Sequence, residues 1–232
     1  MVRIDGIRLE VVDLDDTLYP EAEFAEEGCG NVAELLAKGN AALAEGLVSK
    51  MKSLAQAGRR GEIFQVVLAD LGQPVTQERV AELVDVYRTS DRRLSLFPDA
   101  ARAIRRFREA GISLAILTDG PLAGQQTKVR LLELERQFDQ VVYTDSYGSG
   151  FSKPSARCFE MLMREFKAEA GKCVYIADNE RKDFFGPNSL GWCSVQVLRP
   201  GGVYDGCKGE DERYKARYCV GSLDDVELTL AR

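Results

Sequence analysis

The sequence predicts an α/β protein whose core is a doubly wound parallel sheet, interrupted after its first strand by an all-helical insert. Short β-branched apolar runs recur at IRLEVVDL (7–14), ISLAILT (112–118), QVVYTD (140–145), CVYIAD (173–178) and CSVQVL (193–198). Each of the last four follows a helical-looking segment, and strands that alternate with helices pair in parallel through right-handed crossovers. The stretch from Glu21 to about Leu96 breaks this rhythm and holds no convincing strand.

The first strand runs into VVDLDDTLYP, where Asp13, Asp15 and Asp16 crowd together. Like charges this close repel, and carboxylates are poor strand formers, so the cluster needs a chemical reason. In the insert, Leu35, Leu36, Leu43, Leu47 and Leu54 recur at helical spacing. So do Ile63, Phe64, Val67, Leu68 and Leu71, and then Val80, Leu83, Val84 and Tyr87 behind an N-cap at Thr76. Gly58 with Gly61, and Gly72 with Pro74, read as turns between these helices. Pro98 marks the return to the core. The expected organisation is therefore a core of residues 1–20 and 97–232 with a helical insert at 21–96.

In the second half, Ala103, Ile104 and Phe107 share a face of a helix from Ala101 to Ala110. Further helices are expected at Leu122–Phe138, Ser155–Lys167 and Arg181–Leu190. The last segment, from Gly201, is polar and Gly-rich before YCVGSLDDVEL, which reads as an edge strand or a short helix.

A chain of 232 residues is long enough to bury a substantial core, as one large domain or as a core with an insert. Its net charge of -6 argues against nucleic acid as a partner. It contains no histidine, which excludes Ser-His-Asp and Cys-His catalysis and every His-ligated metal site. Chemistry is left to carboxylates, lysines, hydroxyls and thiols. Cys29, Cys158, Cys173, Cys193, Cys207 and Cys219 form no C-x-x-C pair and are expected in the core of a cytoplasmic protein. The charged N-terminus MVRIDGIRLE lacks a signal-peptide apolar block, and no run approaches the ~18 apolar residues of a membrane span.

In a doubly wound fold, ligands bind beyond the carboxyl ends of the strands. Asp13 ends the first strand, with Asp15 in the loop that follows. Thr118 ends the second strand and is followed by Asp119. Lys153 comes after the third, before a helix, and Asp178 ends the fourth, with Asp183 shortly after. Clustered carboxylates are tolerable around a hard cation such as Mg²⁺, which prefers oxygen ligands. A hydroxyl and a lysine supply the opposite need of an anionic substrate, so the set suits a phosphoryl group. Arg59-Arg60 and Arg92-Arg93 are either helix-end residues in solvent or readers of that anion.

These residues resemble the haloacid dehalogenase superfamily. D-x-D-x-T at Asp13, Asp15 and Thr17 resembles its motif I, Thr118 motif II, Lys153-Pro154 motif III, and Asp178 with Asp183 motif IV. The order and spacing match across nearly the whole chain, and the helical insert resembles the cap of subfamily I. The resemblance implies a Rossmann-like core and an Mg²⁺-dependent phosphatase acting on a small phosphorylated metabolite, a sugar phosphate or a nucleotide. It makes Asp13 the nucleophile and Asp15 the acid/base. Asp13, Asp15 (through its carbonyl) and Asp178 become metal ligands, with Asp183 direct or one shell out. Thr118, Asp119 and Lys153 fall on the phosphate side, and Asp16 faces away as a capping or solvated residue. Asp119 departs from the Asn or Ser frequent after motif II, and Ala177 from the Gly frequent before motif IV. A phosphomutase, a dehalogenase or a non-catalytic binder of phosphorylated ligands are the alternatives. Asp15 argues against dehalogenation, which has no leaving oxygen to protonate.

Overall fold

The N-terminal apolar run folds as two strands, not one. In the computed structural model, which describes residues 1–231, strand β1 spans Val2–Ile7 and strand β2 spans Leu9–Val12. Gly6 takes a left-handed φ of 75°, open to glycine at little cost, and a register irregularity falls between Ile4 and Ile7. The strand expected from Ile7 therefore starts two residues later, and Asp13 and Leu14 lie just past its end.

Helices α1 (Glu21–Ala37), α2 (Ala41–Gln56), α3 (Ile63–Asp70) and α4 (Gln77–Thr89) follow. The chain then alternates through α5 (Pro98–Glu109), β3 (Ser113–Thr118), α6 (Leu122–Leu131), β4 (Gln140–Tyr143), α7 (Arg157–Glu165), β5 (Cys173–Ala177), α8 (Phe185–Leu190) and β6 (Cys193–Val197). Strands β7 (Tyr218–Val220) and β8 (Val226–Leu230) close it. Helix α6 stops earlier than its apolar pattern predicts, because Glu133 adopts a left-handed φ of 52° and the chain continues as a short 3-10 turn at Leu134–Arg136. Helix α8 starts later than expected, because a tight turn occupies 179–183.

Six strands form one parallel sheet in the order β4-β3-β2-β5-β6-β7. Strand β2 is central, with Val12 level with Ile116 on one side and Ile176 on the other. The chain winds outward through β3 and β4, then returns to β2 and winds the other way from β5, so the ends of β2, β3 and β5 frame the switch point. Strands β1 and β8 pair in parallel in a separate two-stranded sheet. The C-terminal segment thus supplies both an edge strand and a second sheet.

The chain divides into two compact units: Met1–Glu21 with the chain from Ser95 onward, and Ala22–Leu94. In the first, Leu9, Val11, Leu117, Phe159, Leu162, Tyr175 and Trp192 pack into one cluster. Phe159 meets Tyr175 and Trp192 edge-on, with ring centroids 4.9 and 5.4 Å apart. The alternate residues of β2 include Glu10, buried between Leu114 and Val174 in the register. Burial pushes its carboxyl up to about 8.

The helical unit has its own core, with Val32 and Leu36 from α1, Leu47 and Met51 from α2, Val67 and Leu68 from α3, and Leu83 from α4. Thr76 caps α4, its Oγ1 accepting from the Arg79 N–H at 3.2 Å. Gly28 has no room for a side chain, since a Cβ there would sit 2.7 Å from the Tyr87 ring and from the Arg92 guanidinium. Arg92 is neither a solvated helix end nor an anion reader. It is buried, stacked 4.1 Å from the Phe24 ring centroid, and donates to the carbonyls of Phe24 (2.8 Å), Tyr87 (2.5 Å) and Ser90 (3.1 Å).

Cys29, Cys158, Cys173 and Cys193 are buried, but Cys207 is half-buried and Cys219 exposed, so those two are not core residues. Cys219 alternates outward on the edge strand β7. Among the described residues, no helix is long and apolar enough to cross a membrane.

Two outcomes follow. Arg92→Ala removes charge-assisted hydrogen bonds to three carbonyls and should cost about 2–4 kcal/mol in urea unfolding, against under about 0.5 kcal/mol for the exposed Arg93→Ala. Equal costs would refute the anchoring role. Glu10 has a folded-state value raised from 4.5 to about 8, so its contribution to stability is lost as pH rises from about 4.5 to about 8 and then levels off. Glu10→Gln should flatten the stability profile over that window, and an unchanged profile would exclude a buried protonated carboxyl.

Candidate active site

The register of the parallel sheet brings Asp13, Thr118 and Asp178 to one rim, immediately at or after the ends of β2, β3 and β5. All the residues described next belong to the α/β unit. Asp13 is buried, and its Oδ1 accepts from the Lys153 ammonium at 2.7 Å. The same ammonium lies 2.7 Å from Asp183 Oδ1 and donates to the Tyr175 hydroxyl at 3.0 Å. Lys153 is brought in by the loop after β4, through a cis Lys153–Pro154 peptide. Asp183 is fixed by its own turn, its Oδ2 accepting from the Asn179 N–H at 2.9 Å.

Carboxylate oxygens of Asp13, Asp178 and Asp183 all lie within 4.8 Å of one another. Their electrostatics reflect this crowding. Burial pushes the Asp178 carboxyl up to about 9, with Asp13, Asp183 and Asp16 adding to it. Burial also pushes Asp13 up to about 6, against the pull of Lys153. Burial disfavours the Lys153 ammonium, but Asp13 and Asp183 outweigh that and hold it charged well above the ordinary lysine range.

Asp15 has a different environment two residues away. Its Oδ1 accepts from the Tyr19 hydroxyl at 2.5 Å and from the Lys128 ammonium at 2.7 Å, and its Oδ2 from Gln125 Nε2 at 2.8 Å. Burial opposes its charge, yet Lys128, Gln125 and Tyr19 together hold its carboxyl below the usual range. Gln125 Nε2 also reaches Thr118 Oγ1 at 2.9 Å and the Asp119 carbonyl, tying the ends of β2 and β3 together. The Thr118 hydroxyl is an acceptor in that contact, which leaves its own O–H to donate.

The side chain of Asp119 is engaged by the loop after β4. It accepts from the Thr144 hydroxyl at 2.7 Å and from the Lys153 backbone N–H at 3.2 Å, so it steadies the loop that carries Lys153. Asp16 is a capping residue and is buried, not solvated. At a left-handed φ of 50° it accepts from the Glu21 N–H at 2.9 Å and the Val203 N–H at 2.6 Å. Thr17 is buried, and its carbonyl accepts from Arg199 at 3.0 Å, while the same guanidinium pairs with Asp99 at 2.8 Å.

Tyr19, Gln125, Lys128 and Tyr175 are not among the site residues expected from the sequence. Gln125 and Lys128 stand one helical turn apart on α6 and are buried, which only the fold reveals.

A haloacid dehalogenase-like hydrolase sequence model matches residues 7–189. The chain is 27% identical to the glyceraldehyde 3-phosphate phosphatase of Methanocaldococcus jannaschii over 92% of each protein. It is 30% identical to the phosphoserine phosphatase of Thermus thermophilus over 74% of this chain and 65% of that one. A crystal structure of a phosphatase of this superfamily from Thermococcus onnurineus superimposes with a TM-score of 0.59 at 22% identity, covering 94% of this chain and 95% of the other. With its carboxylates, hydroxyl and lysine gathered on one rim of the parallel sheet, this chain belongs to the haloacid dehalogenase-like hydrolases.

Proposed function

We propose that the protein is an Mg²⁺-dependent phosphatase that hydrolyses a small phosphomonoester through an aspartyl-phosphate. The observation that carries this reading is the buried Asp13 carboxylate, joined within 4.8 Å by Asp178 and Asp183 and held at 2.7 Å by Lys153. A set of three carboxylates, one of them raised to about 9 by burial and then by its acidic neighbours, is a donor set that a divalent cation would relieve. Asp13, Asp178 and the Asp15 carbonyl would hold Mg²⁺, with Asp183 a ligand or a support. When bound, the ion supplies charge neutralisation for the incoming phosphoryl group.

The chain's own residues then divide the work. Lys153 orients Asp13, whose free carboxylate oxygen attacks phosphorus and breaks the bond to the leaving oxygen. Asp15 gives that oxygen a proton. In the second half it takes a proton from the water that attacks the aspartyl-phosphate, so it ends protonated and ready for the next turnover. Gln125, Lys128 and Tyr19 fix its carboxylate in place, and the Thr118 hydroxyl donates to a phosphoryl oxygen. The relatives' substrates, glyceraldehyde 3-phosphate and phosphoserine, make small phosphorylated metabolites of that size the first candidates. The helical insert follows the Asp13–Asp15 loop directly in sequence, and we assign it the selection of the leaving group.

Turnover of a generic phosphomonoester should collapse in chelator and return with Mg²⁺, and Asp13→Asn should abolish it in a protein that stays folded. Chelator-resistant activity would remove the metal from the reading, and an active Asp13→Asn would remove the nucleophile. The Asp178 carboxyl is raised from 3.8 to about 9, so the metal-free protein loses stability as pH rises between those values. Bound Mg²⁺ offsets that loss, and its stabilisation in thermal melts should be larger at pH 8.5 than at pH 6. A smaller shift at the higher pH would contradict the carboxylate site.

A further inference from the structure

We propose that Gln125 is a positioning residue that couples the acid/base Asp15 to the phosphoryl-binding Thr118, so that one amide serves both the leaving-group step and the grip on phosphate, a role that rests on the phosphatase reading above. The amide nitrogen lies 2.8 Å from Asp15 Oδ2 and 2.9 Å from Thr118 Oγ1, and it also reaches the Asp119 carbonyl. A carboxylate and a carbonyl only accept, so the nitrogen end of the amide must face them. That nitrogen donates and accepts nothing, so the Thr118 proton cannot point at it and is turned towards another acceptor. Gln125 Oε1 is buried without a partner among the described residues, so the side chain holds this site through its nitrogen.

The donors around Asp15 are divided between its two oxygens. Lys128 and Tyr19 donate to Oδ1, at 2.7 and 2.5 Å, and Gln125 donates to Oδ2. Donors on one oxygen alone leave a carboxyl free to turn about that oxygen, and the Gln125 contact on the other fixes its plane. The backbone is shaped to the same amide. Gly120 takes a φ of 129°, and a Cβ there would sit 3.1 Å from Gln125 Nε2, so the loop after β3 closes over the side chain at a residue that only glycine suits. Gln125 itself is anchored at the start of α6, where its N–H donates to the Pro121 carbonyl at 3.2 Å, and it is buried. Asp15 comes from the loop after β2 and Thr118 from the end of β3, and Gln125 aligns the two from a third element. A change in the amide is therefore felt by both.

The test uses the full-length protein with Mg²⁺, glycerol phosphate and nitrophenyl phosphate as substrates, and inorganic phosphate as ligand in calorimetry. Gln125→Met keeps the length of the side chain and removes its donors. It should weaken phosphate binding by about 3- to 10-fold, the worth of one hydrogen bond. In a Thr118→Val background the same change should cost under about 2-fold, because the hydroxyl it acts through is gone. It should also lower kcat/KM for glycerol phosphate about 10-fold more than for nitrophenyl phosphate, whose leaving oxygen needs no proton from Asp15. Gln125→Glu, which keeps the shape and turns the donor into an acceptor, should show the same two losses and serves if the Met variant does not fold. A side chain that only supports the fold would change neither the ratio of the two substrates nor its coupling to Thr118. Additive losses of phosphate affinity, or equal losses of kcat/KM on both substrates, overturn the proposal. Asp13→Asn separates the two levels. If that variant turns over, the phosphatase reading itself fails; if it is inactive while Gln125→Met keeps wild-type phosphate affinity and substrate ratio, only the assignment of Gln125 fails.

Discussion

Burying Asp13 at the end of the central strand puts a carboxylate where water cannot solvate it, beside two other carboxylates. The Lys153 ammonium, 2.7 Å from both Asp13 and Asp183, is what makes that burial tolerable. A buried charge with its partner removed typically costs about 3–5 kcal/mol, so the pair must be delivered together or not at all. The parallel sheet does this. It ends β2, β3 and β5 at one level, and the loop after β4 brings in Lys153 from outside the sheet, steadied by Asp119 through the Lys153 backbone N–H. The acid cluster in VVDLDDTLYP thus has three separate fates: Asp13 enters the centre, Asp15 is drawn to α6, and Asp16 is spent on the backbone of Glu21 and Val203.

The strand ends were legible because period and spacing are local properties. Apolar runs with helices between them fix which residues top each strand, and the polar residues there could be read off in order. What escaped was set by distant partners. Strand β1 pairs with β8 at the other end of the chain, and nothing in VRIDGI announces that pairing. Helix α6 was read to Phe138 because the apolar pattern continues past the left-handed Glu133. Arg92 looked like a surface arginine because its acceptors are backbone carbonyls, which no side-chain pattern can advertise. Lys128 and Gln125 belong to a helix whose own sequence is ordinary, and their role appears only when α6 is laid against the Asp13–Asp15 loop.

The two acids of motif I end up with opposite environments, although one residue separates them. Asp13 is pushed up to about 6 by burial among acids, whereas the Lys128, Gln125 and Tyr19 contacts hold Asp15 below the ordinary carboxylate range. Environments that drive neighbouring carboxyls apart are a means of giving them separate roles. The direction here is informative. A nucleophile must be ionised when the phosphoryl group arrives, and a cation bound against Asp178 would pull Asp13 towards that form. The contacts that hold Asp15 low favour its carboxylate, which on the proposed mechanism is the form that takes a proton from water when the aspartyl-phosphate breaks down. On the proposed mechanism the same side chain must also be protonated when the leaving oxygen departs, and the contacts that hold it low make that protonated form a stronger acid. The Lys128–Gln125–Tyr19 cage therefore opposes the protonated Asp15 that the proposed first half-reaction needs, so on that mechanism exclusion of water around Asp15 matters as much as the charge on Asp13.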